Sequence, residues 1–193
     1  MNVFLLEFTK AFFALFVVMD PLGNIPIFSV LTAKLTSKER KLHSAEAVAV
    51  AALILFLFMF FGALILQFFG VSMNSFKFAG GIVLMIIGLK LVMGLRLIEK
   101  RAEQYNIAIV PLATPLITGP GSIVTIMMLS QHVAPGIVFL AAVANLLLTW
   151  VVLRNANLML KVIGRQGSDA FSRIMGLILV AIASGFLKQG WSG

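Results

Sequence analysis

The chain has no cysteine. That removes disulfide-stapled secreted scaffolds and Cys-based metal sites. Charge is scarce as well: 11% of the 193 residues are charged, with 7 acidic against 15 basic. Soluble domains carry about twice that share. Only Asp20 puts an acidic group deep in an apolar stretch. An intramembrane aspartyl protease needs two such carboxylates sharing a proton, so it is excluded. HExxH, GxSxG and phosphate-cradling P-loop runs are missing, which leaves no zincin, no nucleophile-elbow hydrolase and no self-contained nucleotide-driven pump. These absences point away from an enzyme. The net charge of +8 sits in short clusters between apolar runs, the pattern of membrane-protein loops and not of a nucleic-acid-binding face.

What is present is apolar: 61% of the residues are hydrophobic. A spanning helix takes ~20 such residues, so the composition fills roughly six spans in a lipid bilayer. Six apolar segments follow, at 3–32, 46–69, 74–95, 107–131, 136–160 and 171–189. Glu7 and Lys10 precede the first apolar run and Asp20-Pro21 follows it. This is the pattern of a retained first span and not of a cleaved signal peptide. The sixth segment is the shortest between charges, Arg173 to Lys188, and needs both side chains to snorkel.

The basic residues alternate. Lys34, Lys38, Arg40 and Lys41 mark the first connection, Arg96, Lys100 and Arg101 the third, and Arg154, Lys161, Arg165 and Arg173 the fifth. The second and fourth connections have neither Lys nor Arg. The odd connections are therefore expected in the cytoplasm of a prokaryotic inner-membrane protein, and both termini outside. Arg154, Asn157 and Lys161 share one helical face, so the fifth helix is expected to run on past the bilayer.

An internal repeat is visible. Asp20-Pro21-Leu22-Gly23-Asn24-Ile25-Pro26 resembles Thr114-Pro115-Leu116-Ile117-Thr118-Gly119-Pro120-Gly121 at a shift of 94 positions, with the same spacing between prolines. Phe76–Gly88 resembles Phe171–Ala183 at a shift of 95, placing Gly81 over Gly176. Two three-helix halves must enter the bilayer from opposite sides. The expected fold is a single all-α transmembrane domain, 1–193, of six helices in two inverted repeats. Repeat one covers 1–95, a cytoplasmic loop 96–106, and repeat two 107–193. That architecture suits alternating access.

Paired prolines with neighbouring glycines should unwind helices one and four, and broken backbone inside a bilayer survives only within protein or beside a polar cavity. Asp20-Pro21 and Thr114-Pro115 carry the N-cap and N1 signature of restarted half-helices. Half-helix ends present N–H groups to a carboxylate and carbonyls to an ammonium, so the expected ligand is a small zwitterionic amino acid. Gly23, Gly119 and Gly121 allow close backbone approach. Leu22 and Leu116 are candidate gates, and Asp20, Asn24 and Thr118 candidate polar contacts. Pro21, Pro26, Pro115 and Pro120 shape the breaks, with Thr114. Asp20 is a cap, a ligand for the ammonium, or a proton carrier. Asn24, Thr118 and Ser122 serve either the ligand or freed backbone groups. No resident cofactor or metal is called for; a proton or a sodium ion suits the coupling role. The competing expectations are a structural bundle or channel with kinked packing helices, and an exporter of another small polar solute. Asn145 and Thr149 are expected to bond between helices, and Gly80, Gly81 and Gly88 to allow close crossing.

The two proline runs, with Phe76–Leu89 and Arg173-Ile174-Met175-Gly176-Leu177, together resemble the MarC family of bacterial and archaeal inner-membrane proteins over essentially the whole chain. The resemblance implies six helices with inverted halves. It also implies membership among small neutral amino-acid transporters similar to the wider lysine-exporter superfamily, with recognition at the two helix breaks; glycine or alanine is the substrate expected here.

Overall fold

The computed structural model describes residues 3–95 and 117–192. Regular structure among them is entirely helical. Helix α1 (Val3–Met19) ends just before Pro21. Proline disfavours helical backbone in the residue before it. Asp20 accordingly turns to φ 40 while its N–H still donates to the Phe16 carbonyl at 3.0 Å. A short acidic side chain is among the few that tolerate that left-handed region. The chain restarts as α2 (Asn24–Leu31), with Gly23 in the N-cap place and no side-chain cap. The first apolar segment is thus two helices, as the prolines predict. The restart falls later than expected, however: Asp20 closes α1 and bonds the turn, and Pro21 is a turn residue instead of the first helical position.

Helix α3 (Ser37–Phe68) begins well before the apolar segment it carries. Thr36 and Glu39 form a capping box, with Thr36 N–H donating to Glu39 Oε2 at 2.8 Å and Glu39 N–H to Thr36 Oγ1 at 3.3 Å. Lys38, Arg40 and Lys41 therefore lie on the first turns of a helix, not in a loop. Its length is about 48 Å, against ~30 Å of hydrocarbon, so these turns stand clear of the apolar layer. Helix α4 (Met73–Val92) follows a short turn. Beyond residue 116 come α5 (Pro120–His132), α6 (Pro135–Arg154) and α7 (Ala156–Trp191).

Helix α6 stops at Arg154, where Asn155 leaves helical geometry. The continuous Arg154–Asn157–Lys161 face expected of a long fifth helix is therefore not formed; Asn157 and Lys161 belong to α7. Helix α7 kinks at Gly164 (φ 71), a backbone that glycine adopts without penalty. The sixth apolar segment lies within this longer element. Helices α3, α4, α6 and α7 are long and apolar enough to cross a membrane, and the architecture is that of an all-α membrane protein.

The most extensive helix packing joins α4 to α7. Small residues set it, as expected for Gly81 and Gly88. A methyl group added at Gly81 would lie 2.9 Å from the backbone nitrogen of Leu187, and one at Gly176 would lie 2.9 Å from the backbone nitrogen of Val92. Gly81 and Gly176 stand 95 positions apart in the sequence, and so do Val92 and Leu187. The crossing is antiparallel and reproduces itself when the two helices are exchanged. Gly80 faces Val124 of α5. On the other side of the bundle, Leu15, Met19, Phe28, Leu55, Ile126 and Leu146 form one buried cluster around α1 and α2.

Candidate functional site at the helix breaks

Asp20 is only 6% exposed. A carboxylate in such surroundings is costly unless donors face it. Two do. Gly23 N–H donates to Oδ1 at 3.1 Å, and the Ser172 hydroxyl of α7 donates to Oδ2 at 2.6 Å. Bonds to a charged acceptor are shorter and stronger than neutral ones. The same turn is served twice more. Asn24 Nδ2 donates to the Met19 carbonyl at 2.9 Å, and Ser168 Oγ to the Leu22 carbonyl at 2.6 Å. Met19 ends α1, where carbonyls have no intrahelical partner, and the Leu22 carbonyl also accepts the Ile25 N–H at 3.3 Å. Ser168 and Ser172 are one turn apart, so a single face of α7 closes over the first break.

Gly23 has helical φ (−68), so space, not conformation, requires glycine there. A Cβ at this position would collide with the Asp20 carboxylate and the Ser172 hydroxyl. Leu22 is half-buried against the main cluster, and Pro26 is buried in the first turn of α2, where its missing N–H is harmless.

The second proline run is described from Ile117 onward. Gly119 is extended and stands in the N-cap place of α5, with Pro120 at its first position. This proline carries the N1 signature. Thr118 Oγ1 donates to the Ala51 carbonyl of α3 at 3.1 Å, and Ser122 Oγ to the Ile117 carbonyl at 3.1 Å. A Cβ on Gly121 would lie 3.0 Å from both Val18 and Leu84. Val18 immediately precedes the end of α1, so the start of α5 packs beside the first break. Thr114, Pro115 and Leu116 lie outside the described residues.

Asn145 bonds between helices as expected, its Nδ2 reaching the Phe12 carbonyl of α1 at 3.0 Å. Thr149 instead donates to Asn145 O within its own helix, at 2.8 Å. Two residues outside the sequence expectation belong to the site, Ser168 and Ser172. Their i, i+4 spacing was visible, but Ser168 precedes the sixth apolar run, Ser172 stands at its start, and nothing local marks Asp20 as their partner. Ser29 of α2 and Thr125 of α5 add buried hydroxyls without a hydrogen-bond partner among the described residues.

Comparison with known proteins agrees with this membrane architecture. The model for "MarC family integral membrane protein" matches residues 5–193. A UPF0056 membrane protein of Methanocaldococcus jannaschii is 40% identical over 197 residues, covering 96% of each chain. Another, of Archaeoglobus fulgidus, is 36% identical over 194 residues, covering 95% of this chain and 91% of its own. A third, of Buchnera aphidicola subsp. Baizongia pistaciae, is 33% identical over 207 residues, covering 98% and 96%. No solved structure matches. On the extent of the family match and the identity of these relatives, the chain belongs to the MarC family of integral membrane proteins.

Proposed function

We propose that the chain is a secondary active carrier of small neutral amino acids, glycine and alanine, in a prokaryotic inner membrane. The substrate sits between the breaks of the first and fourth spans. The carrying observation is a buried carboxylate, Asp20, at an unwound turn beside the start of α5. The negative end of the α1 dipole and the positive end of the α5 dipole meet near this place, which suits a ligand bearing both charges. The exchangeable Gly81–Leu187 and Gly176–Val92 contacts support reading the chain as two inverted three-helix repeats, with α1 and α2 together as the first of six spans. Halves related in this way can rock about a central site. A proton or a sodium ion is the coupling ion, and the chain performs no covalent chemistry.

A structural bundle is the competing reading, favoured by the internal bonds of Asp20, Asn24 and Thr118. Counterflow in proteoliposomes separates the two. Preloaded unlabelled alanine should draw in labelled alanine or glycine with a transient overshoot. Absence of exchange for every small neutral amino acid rejects the carrier.

A further inference from the structure

A cleft of about 310 Å³ opens between α3 and α6, walled by Ala45, Val48, Ala49, Ala52, Phe56 and Trp150 among others. The Phe56 and Phe139 rings meet at 4.9 Å and fix the antiparallel register of these helices. Lys41 and Arg154 each lie 15 positions from that contact, toward the same end of the pair. At the helical rise both sit about 22 Å along it. Lys41 precedes Ala45 by one turn on the lining stripe of α3, and Arg154 follows Trp150 by one turn on that of α6. Both cations are exposed, and the Arg154 guanidinium lies 5.0 Å from the Trp150 ring centre. The Trp150 indole N–H is buried without an acceptor among the described residues.

We propose that this cleft binds an anionic diacyl phospholipid. An acyl chain lies along the alanine wall, where the absence of large side chains leaves a channel of methylene width. The phosphate lies between Lys41 and Arg154. The ester carbonyl at the glycerol level is an acceptor of the right kind for the Trp150 N–H. A zwitterionic lipid offers the same chain, but its headgroup ammonium opposes the paired cations. The charge at the mouth of the cleft therefore selects the anionic headgroup.

The test uses the full chain in nonionic detergent, read by native mass spectrometry and thermal unfolding, and is independent of transport. Phosphatidylglycerol should remain bound and raise the melting temperature more than phosphatidylcholine of the same chain length. Lys41→Gln and Arg154→Gln should each weaken its binding roughly fivefold, and the pair roughly 25-fold. Lys41→Arg and Arg154→Lys should preserve the preference. Ala49→Phe, at an exposed position, should fill the cleft and reduce retention of both lipids. Equal binding of the two lipids, full stabilisation by glycerol phosphate alone, or a preference that survives the double Gln variant overturns the proposal.

Discussion

The Ser172 hydroxyl donates to Asp20 Oδ2 at 2.6 Å, joining residues separated by 152 positions in the sequence. Through it the last helix of the chain holds the break in the first. Ser168, one turn earlier, takes the Leu22 carbonyl of the same turn. In the carrier reading, a substrate at Asp20 must compete with, or add to, these contacts. The break is thus closed by side chains that a moving α7 would carry away.

Replacement of these two partners should have unequal effects. Ser172→Ala removes one donor from a buried carboxylate, with an expected cost of about 1–3 kcal/mol, read as a lower melting temperature. Asp20→Asn keeps an acceptor for the Gly23 N–H but loses the charge. If Asp20 carries the coupling proton, Asp20→Asn abolishes the pH dependence of uptake while counterflow continues. If it holds the substrate ammonium, counterflow itself is lost. Unchanged transport with an unchanged pH profile assigns Asp20 to the turn alone.

The glycine crossing gives a paired prediction. A Cβ at Gly176 would lie 2.8 Å from the Gly88 carbonyl, and one at Gly81 2.9 Å from the Leu187 nitrogen. Backbone atoms cannot move aside as a side-chain tip can. Gly81→Leu and Gly176→Leu should therefore destabilise by similar amounts, at least the 1–3 kcal/mol typical of overpacking. Gly185→Leu, with open space around its Cβ position, should be nearly neutral. Thermal unfolding in detergent ranks the three. A tolerated Gly176→Leu beside a damaging Gly81→Leu argues against equivalent roles.

The sequence showed the first break because two prolines five positions apart leave a helix no alternative. Its edges were less legible. Whether the helix restarts at Pro21 or Asn24 depends on the φ of Asp20, which the surrounding contacts fix. The start of α3 was readable in principle from Thr36 and Glu39, but hydropathy averaging weights the apolar run and hides a cap in a charged stretch. The end of α6 at Arg154 has neither proline nor glycine to announce it. Ser172 was invisible as a site residue because its partner lies in the other half of the chain. Glycine spacing, by contrast, marked α4 as a helix crossed at close range, since a close approach of backbones admits few other residues, but it did not name α7 as the partner.

Leu22 packs between the break and the main cluster, which makes it the testable gate. In the carrier reading, Leu22→Ala should widen the site and raise uptake of a bulkier amino acid relative to glycine. The measurement is competition of phenylalanine against labelled alanine in proteoliposomes. A selectivity identical to that of the parent chain removes Leu22 from the gate and leaves it a packing residue.

The absence of cysteine makes the chain a ready background for mapping sidedness. Lys34 and Lys161 are exposed on basic connections, and Val71 and Gly136 on connections without Lys or Arg. Charged loops are retained on the cytoplasmic side because carrying Lys or Arg across the bilayer is disfavoured. In intact cells an impermeant maleimide should therefore label Val71→Cys and Gly136→Cys. Lys34→Cys and Lys161→Cys should react only after the membrane is opened. The Val71 and Gly136 pair carries the inversion: if the halves face opposite ways, Gly136 must share a side with Val71, with the third and fourth spans between them. Labelling of Val71 and Gly136 from opposite sides contradicts the six-span inverted arrangement directly, independently of any transport assay.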